Sequence, residues 1–162
     1  MAAVDYFLKI EGIEGESADA KHKAEIQVLS FSFGANQAGT HAFGGGGGAG
    51  KVQMQDFHFM MNVNKATPKL MLACASGEHI KSAILVCRKA GKEQQEYYLI
   101  KMEDLLVSSY QSGGHEGGDP IPTDQFSLNF TKIAFDYKPQ KADGSLDAAQ
   151  HGGWDVKANK TV

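Results

Sequence analysis

Three stretches of this chain alternate apolar and polar residues with a period of two, and each changes parity once. In the first, Ile26 and Val28 fall on one parity, then Leu29, Phe31 and Phe33 on the other. In the second, Val52 and Met54 give way to Phe57, Phe59 and Met61. In the third, Phe126, Leu128 and Phe130 precede Ile133, Phe135 and Tyr137. Side chains of a strand point alternately to opposite faces, so a parity change demands an extra residue or a bend. Strands that bend in this way serve two faces of a barrel or sandwich. Further strands are expected at Ala83–Ala90, Glu96–Met102 and Leu105–Gln111. Tyr6, Leu8 and Ile10 alternate with Phe7 and Lys9, which predicts a first strand partly covered on both faces. The fold class is mainly β.

One helix interrupts this pattern, over 67–77. Thr67 suits an N-cap, Pro68 the first helical position and Gly77 the stop. Leu70, Leu72, Ala73 and Cys74 give it apolar surface. A helix this short is marginal alone, so it is expected to plug or flank the β core. The 162 residues fit a single domain, 1–162. Within it, 139–162 forms a C-terminal segment. Lys141-Ala142-Asp143-Gly144-Ser145 has turn chemistry, Trp154-Asp155-Val156-Lys157 predicts a last short strand, and the final residues read as a solvated end.

The Gly-rich run is the most tempting motif. Gly45 to Lys51 satisfies most of G-x-x-x-x-G-K-[ST], but the hydroxyl position is Val52, which cannot ligate Mg²⁺. A phosphate loop should also open a helix, whereas Val52-Gln53-Met54-Gln55 alternates like a strand. Ordering a glycine backbone costs about 1–2 kcal/mol per residue, so the plain expectation for 38–51 is an extended loop. The other reading is an arm that orders against a neighbouring subunit.

Little else suggests chemistry. Six histidines are spread without H-x₃-H or H-E-x-x-H spacing, and most read as scattered surface residues. Lys21-His22-Lys23 reads as a solvated loop. Cys74 and Cys87 are too few and too far apart for a disulfide framework, so buried thiols in a reducing compartment are expected. Pairing of Cys74 with His79 is outweighed by the place of Cys74 on the apolar stripe of the helix. No catalytic residue, cofactor or metal is expected. The net charge of −3, with Arg88 the only arginine, argues against nucleic acid. The N-terminus has neither the basic nor the apolar region of a signal peptide, and no run of about twenty apolar residues predicts a membrane span. Ser30 and Ser32 interleave with Phe31 and Phe33. They are either the solvated side of a half-buried strand or a polar wall facing a cavity or channel.

Several segments, in order along almost the whole chain, resemble the haemolysin-coregulated protein (Hcp) family, the tube subunits of type VI secretion systems. They are Asp5-Tyr6-Phe7-Leu8-Lys9-Ile10 with Gly15-Glu16-Ser17, the run Gly44–Gly50 with Lys51, and Thr67-Pro68-Lys69-Leu70 with Cys74 and Gly77. Arg88-Lys89-Ala90-Gly91, Leu106-Val107-Ser108-Ser109, Leu128-Asn129-Phe130, Pro139 to Gly144 and Gly153-Trp154 extend the resemblance. It implies a small β-barrel of two packed antiparallel sheets with one flanking helix, similar to phage tail-tube proteins. It further implies a homo-hexameric ring that stacks into a hollow tube inside a contractile sheath, with baseplate and spike proteins as partners. Effector proteins would ride in the lumen, with the ring as carrier and chaperone. The protein would be cytoplasmic before firing and then expelled without a signal peptide. Under this resemblance Ser30 and Ser32 become lumen candidates. His41, Phe43, Gly45, Gly48, Gly50 and Lys51 become candidates for an intersubunit loop. The rival readings are a secreted β-sandwich binding module, such as an adhesin or carbohydrate-binding domain, and a nucleotide-binding protein using Gly45–Lys51.

Overall fold

The computed structural model describes residues 4–39, 50–91 and 93–162. Two long strands carry the fold, β8 (Glu96–Gly113) and β9 (Thr123–Tyr137), antiparallel along their length. Beyond β8 lie β7 (Ile80–Lys89), β1 (Val4–Ile10) and β2 (Ile26–Gln27). Beyond β9, its C-terminal half pairs with β10 (Gln150–Asp155), which pairs with β11 (Lys160–Thr161). Its N-terminal half pairs with β6 (Phe57–Asn62), which pairs with β3 (Ser30–Ser32).

Both long strands change parity at the same level. In β8 the buried residues run Ile100 and Met102, then Leu105 and Val107; in β9 they run Phe126, Leu128 and Phe130, then Ile133. Glu103 is opposite Lys132 and Leu105 opposite Phe130, so the two breaks lie side by side and the sheet bends across both. Asp104 takes the left-handed conformation there, with φ of 48°. The Thr131 hydroxyl donates to its carbonyl at 2.8 Å. The bend explains two departures from expectation. Glu96–Met102 and Leu105–Gln111 are one strand, and the expected pair of packed sheets is one bent nine-stranded antiparallel sheet. A two-stranded hairpin of β4 (Ala35–Asn36) and β5 (Gln53–Met54) stands apart from it.

The segment 26–32 joins the two rims of the bent sheet. The Val28 amide donates to the Tyr6 carbonyl at 2.9 Å, and the next amide, of Leu29, donates to Met60 at 2.7 Å. The first parity break therefore marks a change of partner strand. It is a crossing of two short strands, so the ladder is not closed by an unbroken stave. Leu29 is 52% exposed at that crossing, not inward as the alternation suggested.

Within the fold, Phe57 stacks on Phe59 at 4.8 Å and on Phe33 at 5.4 Å, and Phe59 stacks on Phe126 at 5.2 Å. Helix α1 (Thr67–Ser76) buries Leu70 and Ala73, while Leu72 stays exposed. Gly77 ends it at φ of 66°, as the sequence suggests. The N-cap, however, is Ala66. Thr67 is spent elsewhere: its hydroxyl donates to the fully buried carboxylate of Asp124, which also accepts from Tyr110 at 3.1 Å.

A second buried cluster lies on the other face of β1 and β7, under residues 14–25. The Arg88 side chain is 2% exposed and donates to Asp19 at 3.1 and 2.7 Å and to Asp5 at 3.2 Å. Its guanidinium sits 4.7 Å over the Phe7 ring, and the His22 ring stacks on Phe7 at 4.4 Å. His22 contacts Glu25 at 2.9 Å and Glu96 at 2.7 Å. This corrects the reading of His22 as a solvated loop residue. Gly15 makes the overlying turn possible: a Cβ there would come within 2.6 Å of the Glu25 carbonyl oxygen.

Candidate assembly surface

The register of four strands places a set of outward side chains in two rows. Ser30 is opposite Met60, Met60 opposite Gln125, and Gln125 opposite Gln111. One step along, Ser32 is opposite His58, His58 opposite Ser127, and Ser127 opposite Ser109. Phe31, Phe57, Phe59, Phe126 and Leu128 occupy the intervening positions and turn the other way, into the core. The core thus dictates the surface: once period-two aromatics are buried, the residues between them share one outer face.

Ser30, Ser32, His58 and Gln125 are exposed and, with Met60, line a shallow depression. Ser127 is buried under the Ser108 and Ser109 hydroxyls, where β8 shifts register between Val107 and Ser109. Asp56 borders the rows and accepts from the Asn129 amide at 2.8 Å. Of these residues the sequence singled out only Ser30 and Ser32. The rest needed the pairing register of strands far apart in the chain.

Of the loop candidates, His41, Phe43, Gly45 and Gly48 lie outside the described residues. Gly50 and Lys51 are at the base of the 38–51 loop, where the Gly50 amide donates to the Ala38 carbonyl at 3.3 Å. Lys51 is exposed and leads into strand β5. A phosphate loop would open a helix at that point, so the nucleotide reading lacks its scaffold.

Nor do the thiols look reactive. Burial pushes the Cys87 thiol up to about 12, and Cys74 is half-buried against the core. No group of three metal-ligating side chains occurs among the described residues. No helix among them is long and apolar enough to cross a membrane.

Residues 7–137 match the family described as "Type VI secretion system effector, Hcp". The chain belongs to the Hcp family. It is 48% identical over 159 residues to protein hcp1 of Pseudomonas aeruginosa, covering 97% of this chain and 98% of that protein. The crystal structure of Hcp1 from Salmonella typhimurium is 37% identical with a TM-score of 0.82, covering 99% of this chain and all of that one (100%). The structure of another type six secretion system protein gives a TM-score of 0.93 at 27% identity, covering 99% and 100%. Hcp proteins are secreted, structural tube proteins and not enzymes.

The late strand expected over 154–157 lies earlier, at β10, and the final residues, read as a solvated end, include β11, which pairs with it. His151 helps fix this C-terminal segment, contacting Asp136 at 2.8 Å and the Val162 carbonyl at 3.2 Å. The hydrogen bond to Asp136 first, and then that to Val162, raises the His151 pKa above the ordinary imidazole value. A raised folded-state value means this contribution is complete below about pH 6.5. It is lost as pH rises through the folded value. Amide protection factors in β11 should therefore fall modestly between pH 6 and pH 8. His151→Ala should show low protection at both values.

Proposed function

We propose that this chain, acting as one tube unit over residues 1–162, closes through its strand edges into a six-membered ring whose Ser30–Gln111 and Ser32–Ser109 rows line the lumen. Exposed strand edges are a liability unless paired or covered, and pairing them around a closed ring removes it while limiting sideways growth. Head-to-tail stacking of rings then gives a tube that a contracting sheath expels, taking the protein from the cytoplasm to the outside. Effectors travel inside, held by the wall. The loop 38–51, through His41, Phe43, Gly45, Gly48, Gly50 and Lys51, reaches a neighbouring subunit.

One observation carries the lumen assignment. Four adjacent strands present hydroxyls, amides, one thioether and one imidazole as a continuous face. Such a face suits contact with water and transient cargo better than a permanent apolar interface. Ser32→Arg tests it. Rings should persist by size-exclusion chromatography while co-purified effector falls to background. Effector retention equal to the unmodified protein would refute the lumen assignment.

A further inference from the structure

The geometry points to a lumen wall that selects positively charged cargo and lets it go on acidification, with Asp56 as the attracting group and His58 as the switch. This rests on the reading of the four-strand face as the wall. Within the two rows and their border, formal charge is confined to two neighbouring positions. On β3 the facing groups are Ser30 and Ser32, on β9 Gln125, Ser127 and Asn129, and on β8 Ser109 and Gln111; none of these titrates. Along the β6 segment, Asp56 immediately precedes the strand and shares the parity of His58, Met60 and Asn62. Two residues apart along a strand, they lie about 7 Å from each other.

Asp56 is tied to Asn129 by one carboxylate oxygen at 2.8 Å and has no cation among its contacts in the described residues. The wall therefore carries net negative charge whenever His58 is neutral. His58 is exposed, lines the depression beside Ser30 and Ser32, and is the one imidazole on the face among the described residues. Histidine is the side chain that changes charge between pH 5 and 8. Protonation of His58 places one positive charge next to each Asp56 and brings the face to zero. Closing the ring repeats both charges around the lumen, where cavity walls focus the field of like charges. A cationic cargo is then held at neutral pH and loses its attraction in an acidic compartment. Because the interaction is between solvated charges, it weakens as salt shortens the screening length from about 30 Å at 0.01 M to about 8 Å at 0.15 M.

The test uses assembled protein and an N-acetylated ten-residue oligolysine peptide with a pH-insensitive fluorophore, whose lysines stay charged from pH 5.5 to pH 8. At low salt its affinity should fall at least about tenfold from pH 8 to pH 5.5, as expected for losing an electrostatic attraction of roughly 1.4 kcal/mol. His58→Gln should bind equally at both values, and Asp56→Asn weakly at both. An oligoglutamate peptide should not bind at pH 8. Retention of the full pH effect in His58→Gln, or equal binding of the two peptides, overturns the inference. So does dissociation of the assembly at pH 5.5, because the loss would then report the ring and not its wall. Electron micrographs of the same samples separate the two levels. Absence of rings at pH 8 removes the reading beneath the inference, whereas intact rings with pH-independent binding remove the inference alone.

Discussion

Phe57→Ala should destabilise the domain by about 3–5 kcal/mol, the range for emptying a large aromatic site in a packed core. Phe57 is fully buried and touches three other aromatic rings: Phe59, Phe33 and Phe31, the last at 5.8 Å. One of these, Phe31, comes from the segment that crosses between the rims of the sheet, and Phe33 directly follows that segment. The cavity would therefore open where the fold is joined, not at its periphery. Against a typical domain stability of about 5–15 kcal/mol, such a loss populates the unfolded state appreciably. Phe57→Leu, closer in volume, should cost about half as much or less. The exposed neighbour provides the contrast: His58→Ala should shift stability by no more than about 0.5 kcal/mol. Urea unfolding of the three variants measures this. Equal effects at positions 57 and 58 would mean that the register of β6 is wrong by one residue.

Arg88→Ala should cost about 3 kcal/mol. Breaking one partner out of a buried ion pair is worth about 3–5 kcal/mol. The lower end applies because Asp19 and Asp5 keep 20% and 33% exposure and can rehydrate. Arg88→Lys should recover little, since one ammonium cannot reproduce the two-pronged contact with Asp19 while covering Phe7. The pair also predicts a pH dependence. Arg88 holds the Asp19 carboxyl well below the usual carboxylate range, chiefly through their hydrogen bonds. A lowered folded-state value means the stabilisation is complete above the unfolded value of about 4. It drains away as pH falls through the folded value. The stability gap between the native protein and Arg88→Ala should thus be full at pH 7 and narrow steadily below pH 4. A gap that is constant down to pH 2 would mean that the guanidinium acts by packing alone.

The periodicity made much of this fold legible. Each parity break in the sequence corresponds to a physical event: a change of partner strand near Leu29, a change of sheet between Met54 and Phe57, and the bend between Phe130 and Ile133. The matching bend in β8 was hidden, because Asp104 supplies the left-handed residue where a glycine would have announced it. The alternation therefore reads as two strands in place of one. The Arg88 cluster was invisible for a different reason. Its partners Asp19 and Asp5 are 69 and 83 residues away in sequence, and composition alone makes His22 look like part of a basic loop. The surface was half legible: alternation exposes Ser30 and Ser32, but only register brings His58, Gln125 and Gln111 beside them. Thr67 shows how a local rule yields to tertiary demand. Its hydroxyl serves Asp124 across the core, leaving Ala66 to start the helix.

Imaging the purified protein by negative-stain electron microscopy at several concentrations tests the whole account most directly. Class averages should show six-fold annuli with an open centre, and thin sections of tube as the concentration rises. Compact particles lacking any central opening at every concentration would contradict it, because the polar rows would then face bulk solvent and enclose nothing.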